Sequence, residues 1–395
     1  MISFDDALAI IANAASPLGT ETVQLDLAAG RVLAAPAAAA IDSPRADVSA
    51  MDGYAVRSPD LGTLPVILRI VGKSFPGTSW PGTVRGGECV RIFTGAPLPD
   101  GADRIVIQEQ VRRDGDMATI AEAPTAATWV RSTGKDFQRG DELLPAGRLL
   151  DATGLVAVAG ADLGEVEVHV RPRLALLATG DELIEPGKAR GSPMAVPDSV
   201  SIALSILARQ WGANLVSRER LDDDLARLQV AAKRAVDIVD IIVVTGGASV
   251  GERDFAKAMF EPLGLELFFS KVAIRPGKPA WFGRASRTLV LGLPGNPTSA
   301  LITARLLLAP LLAAMQGRPV HEALQWEPAR LASPLRPCDQ RETFHRARLT
   351  DGEASILEFQ ESHAQKTLAQ ADVVVRQAAN STCMAAGTSV PVLRL

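Results

Sequence analysis

The stretch Ile238-Val239-Asp240-Ile241-Ile242-Val243-Val244 runs directly into Thr245-Gly246-Gly247-Ala248-Ser249-Val250-Gly251-Glu252. A short, almost wholly apolar run predicts a strand buried on both faces, and the glycines that end it predict a tight turn. The same punctuation recurs on both sides. Upstream, an apolar strand over 174–178 ends in Thr179-Gly180-Asp181-Glu182-Leu183. Downstream, a strand over 288–291 leads into Gly292-Leu293-Pro294-Gly295-Asn296-Pro297-Thr298-Ser299. The intervening spacing predicts helices over 199–210, 225–236 and 253–260, strands over 214–219 and near 265–274, and a long helix over 298–315. Strands alternating with helices imply a parallel sheet with helices on both faces. Such sheets hold ligands at the carboxyl ends of their strands.

The pattern changes on either side of this segment. The alternation begins at Arg171-Pro172-Arg173, and after about residue 319 short strands return through Leu395. Residues 41–136 are rich in Gly, Pro and Thr, with β-branched runs at 66–71, 104–107 and 119–121, and read as a β-rich domain. Phe4, Ala7, Leu8 and Ile11 recur at helical spacing, so residues 1–16 predict an amphipathic helix. A helix over 153–161 and a strand over 166–170 precede the α/β segment. At about 150 residues per domain, the length calls for about two to four domains.

Composition removes several classes of function. Lys plus Arg number 41 against 45 Asp plus Glu, a net charge of −4, so the total gives no reason to expect a nucleic-acid partner. Cys89, Cys338 and Cys383 are scattered with no CxxC pair, which disfavours a disulfide framework and a cysteine zinc site. His169, His321, His345 and His363 show no HExxH spacing. Acidic Asp5 and Asp6 stand where a signal peptide wants positive charge. The apolar run over 301–315 is short and interrupted by Arg305 and Pro310. The expectation is a soluble cytoplasmic protein without membrane or nucleic-acid partners.

Three glycine turns at successive strand ends point to an anionic ligand. Glycine lets backbone N–H groups approach an anion, and a helix amino terminus adds about half a positive charge. One such turn alone is more simply a tight connection. None matches a Walker A or GxGxxG pattern. The phosphate-holding residues expected are Thr179, Gly180, Gly246, Gly247, Ser249 and Gly251, with Pro294, Gly295, Asn296 and Pro297 in the third turn. Carboxylates gather along the same edge. Asp181 and Glu182, the run Asp222, Asp223 and Asp224, and Asp254 are the candidate Mg²⁺ ligands, because hard oxygens beside a phosphate are how proteins hold that ion. Helix capping explains at least one of Asp222, Asp223 and Asp224. Lys271, Arg275 and Lys278 are candidates for neutralising an oxyanion. A rival reading takes Gly247-Ala248-Ser249-Val250-Gly251 as a G-x-S-x-G elbow with Ser249 as a hydrolase nucleophile, served by His321, His345 or His363.

Taken in order, seven motifs resemble the molybdopterin molybdenumtransferase family, which includes the E domains of plant molybdenum cofactor proteins and gephyrin. They are Ser49-Ala50-Met51-Asp52-Gly53-Tyr54-Ala55, Val90-Arg91-Ile92-Phe93-Thr94-Gly95-Ala96-Pro97 and Gly134-Lys135-Asp136-Phe137. Thr179-Gly180-Asp181-Glu182-Leu183, the 246–252 turn, Pro276-Gly277-Lys278-Pro279 and Leu293-Pro294-Gly295-Asn296-Pro297 complete the set. The resemblance covers nearly the whole chain. It implies a multidomain α/β plus β fold. Its parts are a mixed first domain (1–40 plus 137–170), a β-rich domain (41–136), a parallel α/β molybdopterin-binding domain (171–318) and a C-terminal β domain (319–395). It also implies the last step of molybdenum cofactor synthesis: molybdate inserted into adenylated molybdopterin (molybdopterin-AMP), with Mg²⁺-dependent release of AMP, by a homodimer partnered by a molybdopterin adenylyltransferase.

Residue by residue, the resemblance assigns Asp52, Thr94 and Asp136 to the cleft. It assigns Glu182, Asp223 and Asp254 to the acids needed for activity, with Asp222 a near alternative. Lys271 and Arg275 match two basic positions, the second normally lysine. Pro294 and Pro297 match the turn shaping the pterin pocket, and Arg346 and Ser362 match the molybdate pocket. The chain departs from the family pattern at Val200, where asparagine is common, at Arg275, and at Glu361 beside Ser362. These departures motivate a third reading, a non-catalytic interaction module.

Overall fold

The structure is a computed structural model that describes residues 1–246 and 255–395. The segment that decides the sequence reading forms the middle of a six-stranded sheet. Its spatial order is Asn214–Leu221, Arg173–Thr179, Ile241–Thr245, Thr288–Leu293, Trp281–Ala285 and Glu266–Phe269. The first four strands are parallel, and their inner members are buried apart from Arg173 at one strand's start, as near-continuous apolar runs require. The last two strands run antiparallel, so the sheet is mixed rather than purely parallel. Trp281–Ala285 is a strand that the sequence reading passed over. It returns through the two-residue Ser286-Arg287 turn onto Thr288, with Ser286 at φ 53°. A two-residue link between apolar runs is the hairpin signal that marks it.

Helices Val200–Gln210 and Leu225–Val236 connect the parallel strands. Asp198 caps the first: it is buried and accepts from the Ser201 amide and hydroxyl. Asp224 caps the second by accepting from the Arg227 amide at 3.0 Å. The long helix runs as Pro297–Thr303, a wider π-helical Ala304–Leu308, and Ala309–Ala314. The widened turn lies just before Pro310, which cannot donate an amide to an ordinary helical ladder. Pro297–Ala314 is long and apolar enough to cross a membrane by length and composition, but 83% of it is buried inside the fold. It is the spine of the largest core.

After the long helix, strands Glu327–Leu331, Glu342–Thr350, Glu353–Ile356, Val373–Gln377 and Ser389–Arg394 form a closed barrel. Glu342–Thr350 pairs with both Glu353–Ile356 and Val373–Gln377, which closes the ring. Alternation along the strands divides the barrel's two surfaces. Val373 and Val375 fill its interior, while Val374, Leu393 and Phe344 turn outward into the core of the α/β sheet. The strand Ile274–Arg275 leaves the α/β segment and pairs with the barrel at Glu342 and Thr343.

The amino-terminal half carries a separate six-stranded sheet, ordered Arg104–Ile107, Gly53–Val56, Glu88–Ile92, Val66–Ser74, Met117–Ile120 and Val111–Asp114. Its two faces bury different residues, Tyr54, Val56 and Cys89 on one and Ala55, Val90 and Ile92 on the other. Thr20–Gln24 pairs with Glu165–His169, and Ala37–Ala38 with Glu142–Leu144, so residues on either side of the β-rich segment meet. The first helix, Phe4–Ala14, packs elsewhere. Phe4, Ala7 and Ile11 lie in the core of the α/β sheet and not against those small sheets.

Candidate active site

Three strand ends meet at one edge, and glycine makes their approach possible. A side-chain carbon on Gly246, which sits at φ 91°, would stand 2.3 Å from the Thr179 carbonyl oxygen. One on Gly295 would stand 3.3 Å from the Gly246 Cα. The three strand ends, through Thr179, Gly246 and Gly295, therefore form a floor of closely packed backbone. The Thr179 hydroxyl donates to the Thr245 carbonyl at 3.4 Å and ties two of them together. Pro294 is buried in this floor while Gly295 and Asn296 are exposed on it. A floor of main chain at the amino end of a long helix suits an anionic ligand.

The acids that the sequence places here divide. Asp181 accepts from the Asp223 amide at 2.9 Å, which joins the first turn to the end of Asn214–Leu221. The Glu182 carboxylate folds back beneath Gly180, so that a side-chain carbon there would be 2.7 Å from Glu182 Oε2. Asp222 leans toward Arg227 at 3.1 Å, and Asp224 is committed as the helix cap, so the capping expectation for this run holds for Asp224. Among the described residues no three His, Cys, Asp or Glu side chains gather closely enough to hold a metal ion. Gly247, Ser249, Gly251 and Asp254 lie outside the described residues.

The barrel closes over the third turn. The Asn296 side-chain Nδ2 donates to the Ser362 hydroxyl at 3.0 Å, and the Thr298 backbone amide donates to the Ser362 carbonyl at 3.2 Å. Arg346 is buried behind this loop and donates to the carbonyls of Glu361 at 3.1 Å and Phe359 at 3.2 Å. Burial pulls its guanidinium below the ordinary arginine range, opposed by the Glu361 charge nearby. Its buried Nε finds no partner among the described residues. Gln360 locks the arrangement by accepting from the Arg346 amide and donating to its carbonyl. Sequence reasoning missed Gln360, because its role rests on a contact across a strand and a loop.

Arg275 and Lys271 are exposed at the junction of sheet and barrel, where the Lys271 carbonyl accepts from the Ile2 amide. The Arg275 charge reaches His345, whose imidazole is held below its ordinary range chiefly by burial, against a hydrogen bond to Gln377 at 2.8 Å.

Asp52 and Thr94 form a second local unit. One Asp52 oxygen accepts both the Thr94 amide and the Thr94 hydroxyl at 2.8 Å. Those two bonds hold the carboxyl below the ordinary aspartate range, with the Arg91 guanidinium adding to the effect. Arg91, which sequence reasoning also missed, lies 5.1 Å over the Tyr54 ring and donates to the Gly53 carbonyl at 2.8 Å. Asp136 is exposed on its own turn, where its amide donates to the Ser43 carbonyl at 2.9 Å. Among the described residues no hydrogen bond joins Asp52, Thr94 or Asp136 to the sheet edge.

Three family models match the chain in order. They are "MoeA N-terminal region (domain I and II)" over residues 2–161, "Probable molybdopterin binding domain" over 175–314, and "MoeA C-terminal region (domain IV)" over 328–395. A molybdopterin molybdenumtransferase of Haemophilus influenzae is 37% identical over 303 residues, covering 76% of this chain and 74% of the relative. One from a Nostoc species is 33% identical over 392 residues, covering 95% of this chain and 89% of the relative. Among solved structures, a molybdopterin biosynthesis moeA protein from Pyrococcus horikosii superposes with a TM-score of 0.83 at 28% identity, covering 100% of this chain and 99% of that one. The matches run through both halves of the molecule, as the sequence motifs do, and the chain belongs to the molybdopterin molybdenumtransferase family.

Proposed function

We propose that this chain is a transferase of molybdenum cofactor biosynthesis, taking molybdopterin-AMP and molybdate as substrates and releasing AMP as molybdenum enters the dithiolene. The observation that carries the reading is the glycine floor: three strand ends so close that Gly246 admits no side chain against Thr179. Backbone amides on such a floor bind and orient phosphate. Asn296 and Ser362, bonded to each other at 3.0 Å, close the site from the barrel side. Arg346 acts from behind as a positioning residue, since it holds the loop that carries Ser362. Lys271 and Arg275 supply cationic charge at the junction, and an oxyanion such as molybdate requires it.

Mg²⁺ would add charge neutralisation at the phosphates. It is commonly held by one or two carboxylates together with substrate phosphates, so it does not demand three protein ligands. Asp181, Glu182 and Asp223 fit that role by donor type, with Asp254 as a further candidate. Asp52, Thr94 and Asp136 are separate from the sheet edge within the described chain, and a homodimer that brings the partner's β-rich sheet to this edge is the arrangement that would use them. The domain division at 41, 137, 171 and 319 and a cytoplasmic location belong to the same reading. The hydrolase alternative has no support: the relatives are molybdenumtransferases, and His345 is tied to Gln377 in the barrel.

The test is AMP release from molybdopterin-AMP on addition of molybdate and Mg²⁺. Release that depends on molybdate supports the assignment; tight binding without release would leave a carrier and remove the transferase.

A further inference from the structure

A cavity of about 340 Å³, apart from the candidate active site, lies where the small amino-terminal sheets, the long helix and the chain entering the barrel meet. Val32 and Leu149 line one side, Trp211 stands at the end of its helix, and Arg305, Gln316 and Arg318 line the other. None of the described residues of the candidate active site lines it.

The charges in this cavity do not balance. Arg318 is paired with Glu322 at 3.2 Å. Arg305, in the π-helical turn, meets only neutral partners among the described residues: its Nε donates to the Arg394 carbonyl at 2.9 Å and its Nη1 to the Ala323 carbonyl at 2.7 Å. Its guanidinium lies 5.3 Å from the Trp211 ring centre. Burial pushes it down to about 10, with no carboxylate among the described residues set against that shift. A desolvated cation without a counter-charge is unfavourable, and an anion that reaches it relieves that cost.

We propose that this cavity binds a small organic monocarboxylate, with the carboxylate on Arg305 and an apolar body against Val32, Leu149 and Ala323. One unbalanced positive charge calls for one negative charge. The planar guanidinium matches a carboxylate, and it has five N–H donors, more than the two carbonyls occupy. The volume sits at the small end of the range for ligand pockets, about 300–1,000 Å³, which suits one ring or a short chain. A phosphate dianion would leave an excess negative charge in a largely apolar cleft.

The probe is benzoate, titrated calorimetrically into the full-length protein beside benzyl alcohol, its neutral counterpart, and inorganic phosphate. Benzoate is expected to bind at least about tenfold more tightly than either. Leu149→Trp, which fills the cavity, should remove benzoate binding, and Arg305→Met should erase the preference for benzoate over the alcohol. Equal affinity for benzoate and alcohol, tighter binding of phosphate, or benzoate binding undiminished in Leu149→Trp would each overturn the site. Should Arg305→Met not fold, the three probes on the unaltered protein and on Leu149→Trp decide it.

Discussion

At the scale of single residues, hydrogen bonds rather than burial set the state of the Asp52 carboxyl. The Thr94 amide is the largest influence, then the Thr94 hydroxyl; a smaller desolvation opposes them, and the Arg91 charge adds least. The folded-state value is depressed, so the turn gains stability from ionised Asp52 above the ordinary aspartate range and loses it as pH falls through the folded value. An NMR titration of the Asp52 carboxyl should give a midpoint below 3.8. Thr94→Val keeps the amide but removes the hydroxyl, so the midpoint should rise only part of the way back. Cys89 shows the opposite cause: burial alone pushes its thiol up to about 12. A thiol reagent should modify exposed Cys383 in the native protein and reach Cys89 only on unfolding. The family motifs made Asp52 and Thr94 legible in the sequence as a pair of candidates. Gln360 and Arg91 were not legible, because what they do depends on which backbone carbonyl or amide a neighbouring strand brings within 3 Å.

At the scale of elements, glycine fixes how closely strands and turns approach. Gly292 lies in Thr288–Leu293, and a side-chain carbon there would stand 1.9 Å from Trp281 Nε1, an atom already buried without a partner among the described residues. Trp281 is fully buried and cannot swing aside. Gly292→Ala should therefore destabilise the fold by about 1–3 kcal/mol, as overpacked cores do, measured by urea denaturation. Gly246→Ala meets backbone instead of a ring and also needs a positive φ of 91°. It should cost a similar amount of about 1–3 kcal/mol and in addition abolish AMP release, whereas Gly292→Ala leaves the floor intact and retains release in the folded fraction. The three inner parallel strands were readable because their apolar runs are continuous and end at glycine turns, whereas Asn214–Leu221 alternates along its length. The antiparallel strand Trp281–Ala285 was harder to read because Gly283 and Arg284 interrupt its apolar pattern. Gly283 is there because a side-chain carbon would stand 2.4 Å from the Glu266 carbonyl of the adjoining edge strand.

At the scale of the molecule, the first helix joins parts that are far apart in sequence. Its spacing revealed an amphipathic helix but could not say which core would receive it, since an apolar stripe carries no address. Phe4 is buried in the α/β core, with its ring edge-on to Phe344 of the barrel at 5.2 Å. Arg376 of the barrel sits 5.2 Å from the Phe4 ring centre and bonds to Asp5 at 3.0 Å. The Ile2 amide and carbonyl bond to Lys271 and Ala273, in the segment that carries Arg275 into the barrel sheet. Phe4→Ala should thus cost about 3–5 kcal/mol, the range for emptying a buried aromatic site. The loss should be unevenly distributed. Hydrogen exchange should quicken in Pro297–Thr303 and in the barrel strand Glu342–Thr350, while the separate core beneath Gly53–Val56 keeps its protection. If the β-rich sheet lost protection in step with the barrel, the helix would be coupling the entire chain, and the independence of the two cores would be wrong.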